Sequence, residues 1–162
     1  YLDNEPLRNV RSLPLYQEDY ILLMPAGQAS PARRTISWTE AAELPLCLLT
    51  PTMQNRRIID GIFRSVGCAP HAAVETDSII NLCSHVRSGF WSSVMPRALL
   101  HLFGVPAGTR ALRLVDPAAT RTVGLVMADR DPPSPLARGL FDTARTLDLD
   151  AELQSTPLQP AA

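Results

Sequence analysis

The sequence predicts an α/β domain, a mostly parallel sheet with helices on its faces. Three observations carry that expectation. Between Tyr20 and Leu100, short apolar runs alternate with segments whose apolar residues recur at helical spacing, the pattern of strands feeding crossover helices. Those helical segments carry their own start and stop residues. After Gly104 the pattern changes to two strand-like runs and one closing helix. The fifteen prolines sit between the periodic segments, where they break elements rather than fill them.

The elements follow in order. YILLMP (Tyr20 to Pro25) is a short apolar run stopped by proline, the mark of a buried strand. AGQASPARRT is a polar loop. In SWTE, Ser37 caps a short helix and Glu40 reaches back to it, the reciprocal arrangement of a capping box. PLCLLT (Pro45 to Thr50) is a second buried strand. From Asn55 to Val66 the residues Ile58, Ile59, Ile62, Phe63 and Val66 line one helical face, and Gly67 stops the run. HAAVE (His71 to Glu75) reads as a third strand. A helix is expected from Asp77 to Ser88, with Ile79, Ile80, Leu82, Cys83 and Val86 inward and Gly89 as its stop. WSSVMP is a fourth strand, with Pro96 opening the helical segment RALLHLF. ALRLV and RTVGLVMA are strand-like, separated by the turn DPAAT. PPSPLARGLFDTARTL is a helix capped at Ser134 with Pro135 first. Its inward face is expected to hold Leu136, Leu140, Phe141, Ala144 and Leu147. Beyond Asp150 periodicity is lost and a frayed tail is expected.

Composition bounds the function. At 162 residues with 46% apolar and 19% charged, the chain can bury a core as one domain or two small lobes. A net charge of −1 and no basic run longer than a pair argue against a nucleic-acid groove. All fifteen basic residues are arginine, which biased codon usage explains without function. Cys47, Cys68 and Cys83 form no CxxC pair and lie in apolar surroundings, as buried free thiols of a reducing compartment do. No signal-peptide pattern and no bilayer-spanning run is present, so a cytoplasmic location is expected. The chain opens at Tyr1 without methionine, which reads as a piece of something larger.

No catalytic set assembles. The serine in RSGF is in no nucleophile elbow, and His71, His85 and His101 lack ligand spacing. Glycines occur singly, so no phosphate-cradling loop is expected, and neither is a metal, a cofactor or an enzymatic activity. Two strand-to-helix loops stand out instead. TPTMQN follows one strand and ETDS another, and each places hydroxyl or amide side chains at a helix start, where free backbone N–H groups favour an anion. Plain helix capping is the competing account: it fits Thr76, Asp77 and Ser78 well, whereas TPTMQN holds more polar groups than one cap needs.

In this order the pieces resemble the effector-binding domain of the LysR-type transcriptional regulators. EDYILLMP matches the family's E-x-x-Φ-Φ-Φ-x-P (Φ apolar), and ISWTEAAELPLCLL matches its v-s-w-x-e-a-a-x-x-P-Φ. VETDS matches its E-x-x-S, and HVRSGFWSSVMP its Φ-V-x-x-G-x-x-x-x-Φ-P. The closing helix is similar to l-s-p-a-a-r-x-f. None is specific alone; all five occur in order over residues 17 to 147. One departure is the pair Phe90 and Trp91 where the family has small residues, expected to fill part of the cleft or pack beneath it.

The resemblance implies a type 2 periplasmic-binding-protein-like fold with one complete lobe of mixed or parallel sheet and part of another. The expected layout is a remnant of the first lobe and crossover over 1–19, a second lobe over 20–100, a return to the first lobe over 101–148 and a flexible tail over 149–162. The family's DNA-binding helix-turn-helix is absent, and ALRLV and RTVGLVMA are expected to lack partners and leave apolar faces open to self-association. The resemblance also implies a small anionic effector such as an organic acid, held in a cleft between lobes by Thr50, Pro51, Thr52, Gln54, Thr76 and Ser78. Arg56 and Arg57 are expected to add to the field or to point to solvent. A homo-oligomer, contacting DNA only through the absent domain, completes the picture; a solute-binding protein of a transport system is the alternative.

Overall fold

In a computed structural model, residues 9–130, 132, 134–155, 157 and 158 are described. The chain divides into two compact units. The smaller comprises Tyr1–Glu18 and Thr120–Thr156, and the larger Asp19–Ala119 and Pro157–Ala162.

Strand β1 runs Val10–Pro25, ten residues earlier than the apolar run suggests. Its second half supplies the unbroken apolar stretch of the larger unit. Its first half, in the smaller unit, mixes apolar and polar residues around Pro14 and is only partly covered, so no local pattern announces it. In the larger unit follow β2 (Thr35–Ser37), α1 (Trp38–Ala42), β3 (Leu46–Leu49), α2 (Gln54–Ser65), β4 (Ala72–Thr76), α3 (Ile79–Arg87), β5 (Ser93–Pro96), α4 (Ala98–Phe103) and β6 (Thr109–Val115). Pro96 closes β5 rather than opening α4, whose cap position is Arg97.

The sheet is mixed rather than mostly parallel. β1 is antiparallel to both neighbours, with Leu22 opposite Val94 of β5 and Leu112 of β6, and β2 lies parallel beyond β6. β3 and β4 are parallel, Leu49 standing opposite Thr76. A parallel bridge between Leu46 and Ser92 links them to the start of β5, so the order across the unit reads β4-β3-β5-β1-β6-β2. β6 therefore has a partner on each side, against the expectation that ALRLV would stand alone. Residues 101–119 accordingly belong to the larger unit and not to a return. Sequence order could not show this, because β6 pairs with residues some ninety positions earlier.

Period-2 alternation sends the strand side chains to two buried faces. On one, Ile21, Leu23, Cys47, Leu49, Met95 and Ala111 pack with Leu82 and Val86 of α3 and Leu100 of α4. On the other, Trp38 lies edge-on to Tyr20 and Phe63, with ring centroids 6.1 and 5.0 Å away, and its Nε1 donates to the Pro117 carbonyl at 3.0 Å. The capping box forms as expected: Ser37 Oγ accepts from Glu40 N and Glu40 Oε2 from Ser37 N. α2 ends at Gly67 (φ +76°), where Gly67 N donates to Arg64 O and Cys68 N to Phe63 O, a Schellman closure. In α3, Ile80 is 68% exposed rather than inward; Leu82 and Val86 make the buried stripe.

In the smaller unit β7 (Thr120–Ala128) pairs with β1, and α5 (Pro135–Ala144) and α6 (Leu149–Gln154) follow. Gln17 ties the unit together, its N–H donating to Asp150 Oδ1 at 3.0 Å and its Nε2 to Thr122 Oγ1 at 3.1 Å. α5 begins with Pro135 at its first position, as expected, but Ser134 makes no side-chain cap bond. Of its expected inward face only Phe141 and Ala144 are buried; Leu136, Leu140 and Leu147 are exposed. Part of the expected tail is ordered as α6, capped by Asp148 Oδ1 on Ala151 N. The expected remnant over residues 1–8 and the final residues of the tail lie outside the described residues.

Candidate functional site

The pairing of β3 with β4 sets the two polar loops side by side at the carboxyl ends of their strands. Thr50 N–H donates to Thr76 O at 3.0 Å, extending the ladder one step past Leu49. A tight turn follows, closed by Met53 N on Thr50 O at 3.0 Å. Within it the hydroxyls of Thr50 and Thr52 lie 3.1 Å apart and share one hydrogen bond. One of the two therefore keeps a proton to donate outward. Pro51, Thr52 and Gln54 are exposed, and Thr50 is half-buried.

Capping explains one loop and not the other. At α3, Ser78 Oγ accepts from Asn81 N at 3.4 Å, and Thr76 Oγ1 accepts from Ser78 N at 3.2 Å. These two hydroxyl oxygens thus do the work of a helix start. At α2 the cap position is Met53, which has no polar side chain to offer, and neither threonine caps in its place. The positive end of the twelve-residue α2 is left to other partners.

The arginines do not both face this site. Arg57 is exposed, but Arg56 is buried. Its Nε donates to Asp60 Oδ1 at 2.8 Å and its NH1 to Leu49 O at 2.6 Å and Glu75 Oε1 at 2.7 Å. Burial works against the charged guanidinium, yet the bonds to Glu75 and Asp60 outweigh it and raise the pKa above its ordinary value. Sequence reasoning missed this clamp, although the i, i+4 pair Arg56 and Asp60 was legible.

Phe90 and Trp91 stand elsewhere. Ser92 pairs with Leu46, at the end of β3 opposite Thr50, so the two aromatics lie at the far end of the strands from the threonines. Phe90 is exposed there, and Trp91 packs against the core. A cavity of about 340 Å³ along α3, lined by Ile79, Ile80, Cys83, Arg87, Phe103 and Pro106 among others, includes none of the expected site residues. Among the described residues no group of three or more histidine, cysteine or acidic side chains is placed to hold a metal, and no helix is long and apolar enough to cross a membrane.

Comparison with known proteins adds a family. A model described as LysR substrate binding domain matches residues 2–148. A probable nitrogen assimilation transcriptional activator of Synechococcus elongatus is 24% identical over 142 residues, spanning 83% of this chain and 45% of that protein. Among solved structures, full-length CbnR complexed with its target DNA is similar with a TM-score of 0.74 at 15% identity, covering 88% of this chain and 50% of that one. The reduced regulatory domain of OxyR from Pseudomonas aeruginosa gives 0.73 at 23%, covering 91% and 71%. The effector-binding domain of QuiR in complex with shikimate gives 0.70 at 20%, covering 89% and 66%. At these identities the structural likeness is one of fold.

Proposed function

The chain belongs to the LysR substrate-binding-domain family, and on that premise we propose that it senses a small molecule for a DNA-binding transcriptional regulator. The fold is the type 2 periplasmic-binding-protein-like fold of LysR effector domains. The observation that carries the proposal is the pair of adjoining loops: Thr50 and Thr52 beside the uncapped amino end of α2, with Thr76 one hydrogen bond away. Thr50, Pro51, Thr52, Gln54, Thr76 and Ser78 form the effector-facing set. A hydroxyl donor beside a positive helix end suits a carboxylate or other small anion. Arg56 adds no free charge, because two carboxylates already neutralise it.

The effector is a small organic acid, the protein acts without catalysis in the cytoplasm, and its full-length form is a DNA-binding oligomer. The effector works by differential affinity for two arrangements of the domain, which bias the oligomer's grip on DNA. The relatives above are regulators, which favours this role over a transport protein.

The test is a thermal-shift screen of the chain and of the full-length protein against organic acids, shikimate included. A ligand at a hundredfold excess over its Kd adds about 2.7 kcal/mol to stability, a visible shift. We expect a hit that Thr50→Ala abolishes. A hit that survives both Thr50→Ala and Thr76→Ala places binding elsewhere and sinks the assignment.

A further inference from the structure

We infer that Arg56 is the positioning residue of this site, resting on the effector role proposed above: it sets the geometry of both threonine loops without lending charge to the ligand. Its guanidinium reaches three elements at once. Leu49, whose carbonyl it holds at 2.6 Å, is the last residue of β3 and immediately precedes Thr50. Glu75, at 2.7 Å, immediately precedes Thr76 on β4. Asp60, at 2.8 Å, lies one turn further along α2, the helix that the Thr50–Met53 turn leads into. Every tie therefore lands one residue from a site threonine or on the helix that the turn feeds.

The chemistry selects arginine for this. Three acceptors on three elements lie in different directions, and a planar guanidinium presents fixed N–H vectors that meet them together. A lysine ammonium carries the same charge on a single atom and cannot span them. The clamp also carries no surplus positive charge: one cation faces two carboxylates, so a bound anion meets hydroxyls and a helix end rather than an arginine. The plain alternative is a buried ion pair that stabilises the whole larger unit. The two differ in where their loss is felt.

Residue-resolved amide exchange on the chain separates them, using Arg56→Lys, Asp60→Asn and Glu75→Gln, the last two each weakening a single tie while keeping the shape of the side chain. The Thr50 N–H on Thr76 O and the Met53 N–H on Thr50 O report the loop geometry. In Arg56→Lys both amides should exchange at least tenfold faster, while Leu22 and Leu112 in the central strands keep their protection. Unchanged protection at Thr50 and Met53, or a uniform loss across the unit, overturns the inference. Binding is read in parallel with shikimate and inorganic phosphate as probes. For a probe that binds, Arg56→Lys should weaken it about tenfold and Thr50→Ala abolish it. If neither probe binds the unsubstituted chain or the full-length protein, the effector assignment loses support while the exchange result still decides the role of Arg56.

Discussion

Trp38 shows how much one side chain settles. It is fully buried between Tyr20 and Phe63, and its indole N–H reaches the Pro117 carbonyl. Trp38→Phe removes ring volume and leaves that carbonyl without its donor, so we expect a loss of about 2–4 kcal/mol. A urea titration with an unchanged m-value would check it. Cys47 makes the opposite point, a reactive group made inert. Burial pushes its thiol up to about 11, and burial also raises that of Cys83. The native chain should leave Cys47 unalkylated by iodoacetamide at pH 8, and unfolding should expose it; labelling located by peptide mass would contradict this if Cys47 reacted in the folded protein. Arg56 belongs at this scale too. Its neighbour Arg57 has the same chemistry and is exposed. Only the direction of each side chain from α2, and the acceptors it meets, separates a clamp from a solvated charge.

Among the elements, α1 is the most dependent on its ends, for five residues make little more than one turn. The Ser37 backbone N–H, the bond to Arg33 and the Ser37 hydroxyl hold the Glu40 carboxyl down at about 2, from an ordinary 4.5. A carboxylate depressed by folding contributes stability that is full above about 4.5 and is lost as pH falls toward 2. Glu40→Gln should therefore lower stability at pH 7 and flatten the acid limb of the stability curve in that window, the two proteins converging as pH falls toward 2. Ser37→Ala should cost about 1 kcal/mol at neutral pH, the value of a lost cap. At the other end of α2, Gly67 adopts φ +76° with open space where a Cβ would stand. Gly67→Ala meets no atom, so its cost, about 1–2 kcal/mol, comes from backbone strain alone. A larger loss in a thermal melt would show packing that the open space does not allow.

At the scale of the whole molecule, the smaller unit leaves several large apolar side chains open. Leu136 is 87% exposed and Leu140 57%, on a helix whose buried stripe is only Phe141 and Ala144. Among the described residues of this unit, a strand pair, two helices and several open leucines invite association. Sedimentation velocity should show a weight-average mass that rises with concentration, and Leu136→Glu with Leu140→Glu should suppress the rise. A single monomer species over a hundredfold concentration range would refute this.

Local chemistry alone determined most of the element types, though not α6 or β2, together with the capping box at Ser37 and Glu40, the glycine stop of α2 and the two polar loops, because each depends on neighbours within four residues of chain. Five short motifs in order were enough to identify the family. What only the tertiary structure decided depended on distant partners. β6 found β1 and β2 rather than an empty edge, and β1 began ten residues before its apolar run, because a strand's extent is set by the strand beside it. Thr50 and Thr76 met through pairing across twenty-six residues, which no local pattern records. Phe90 and Trp91 fell at the far end of the strands from the threonines for the same reason: a position along a sheet follows from register, and register is a property of pairs.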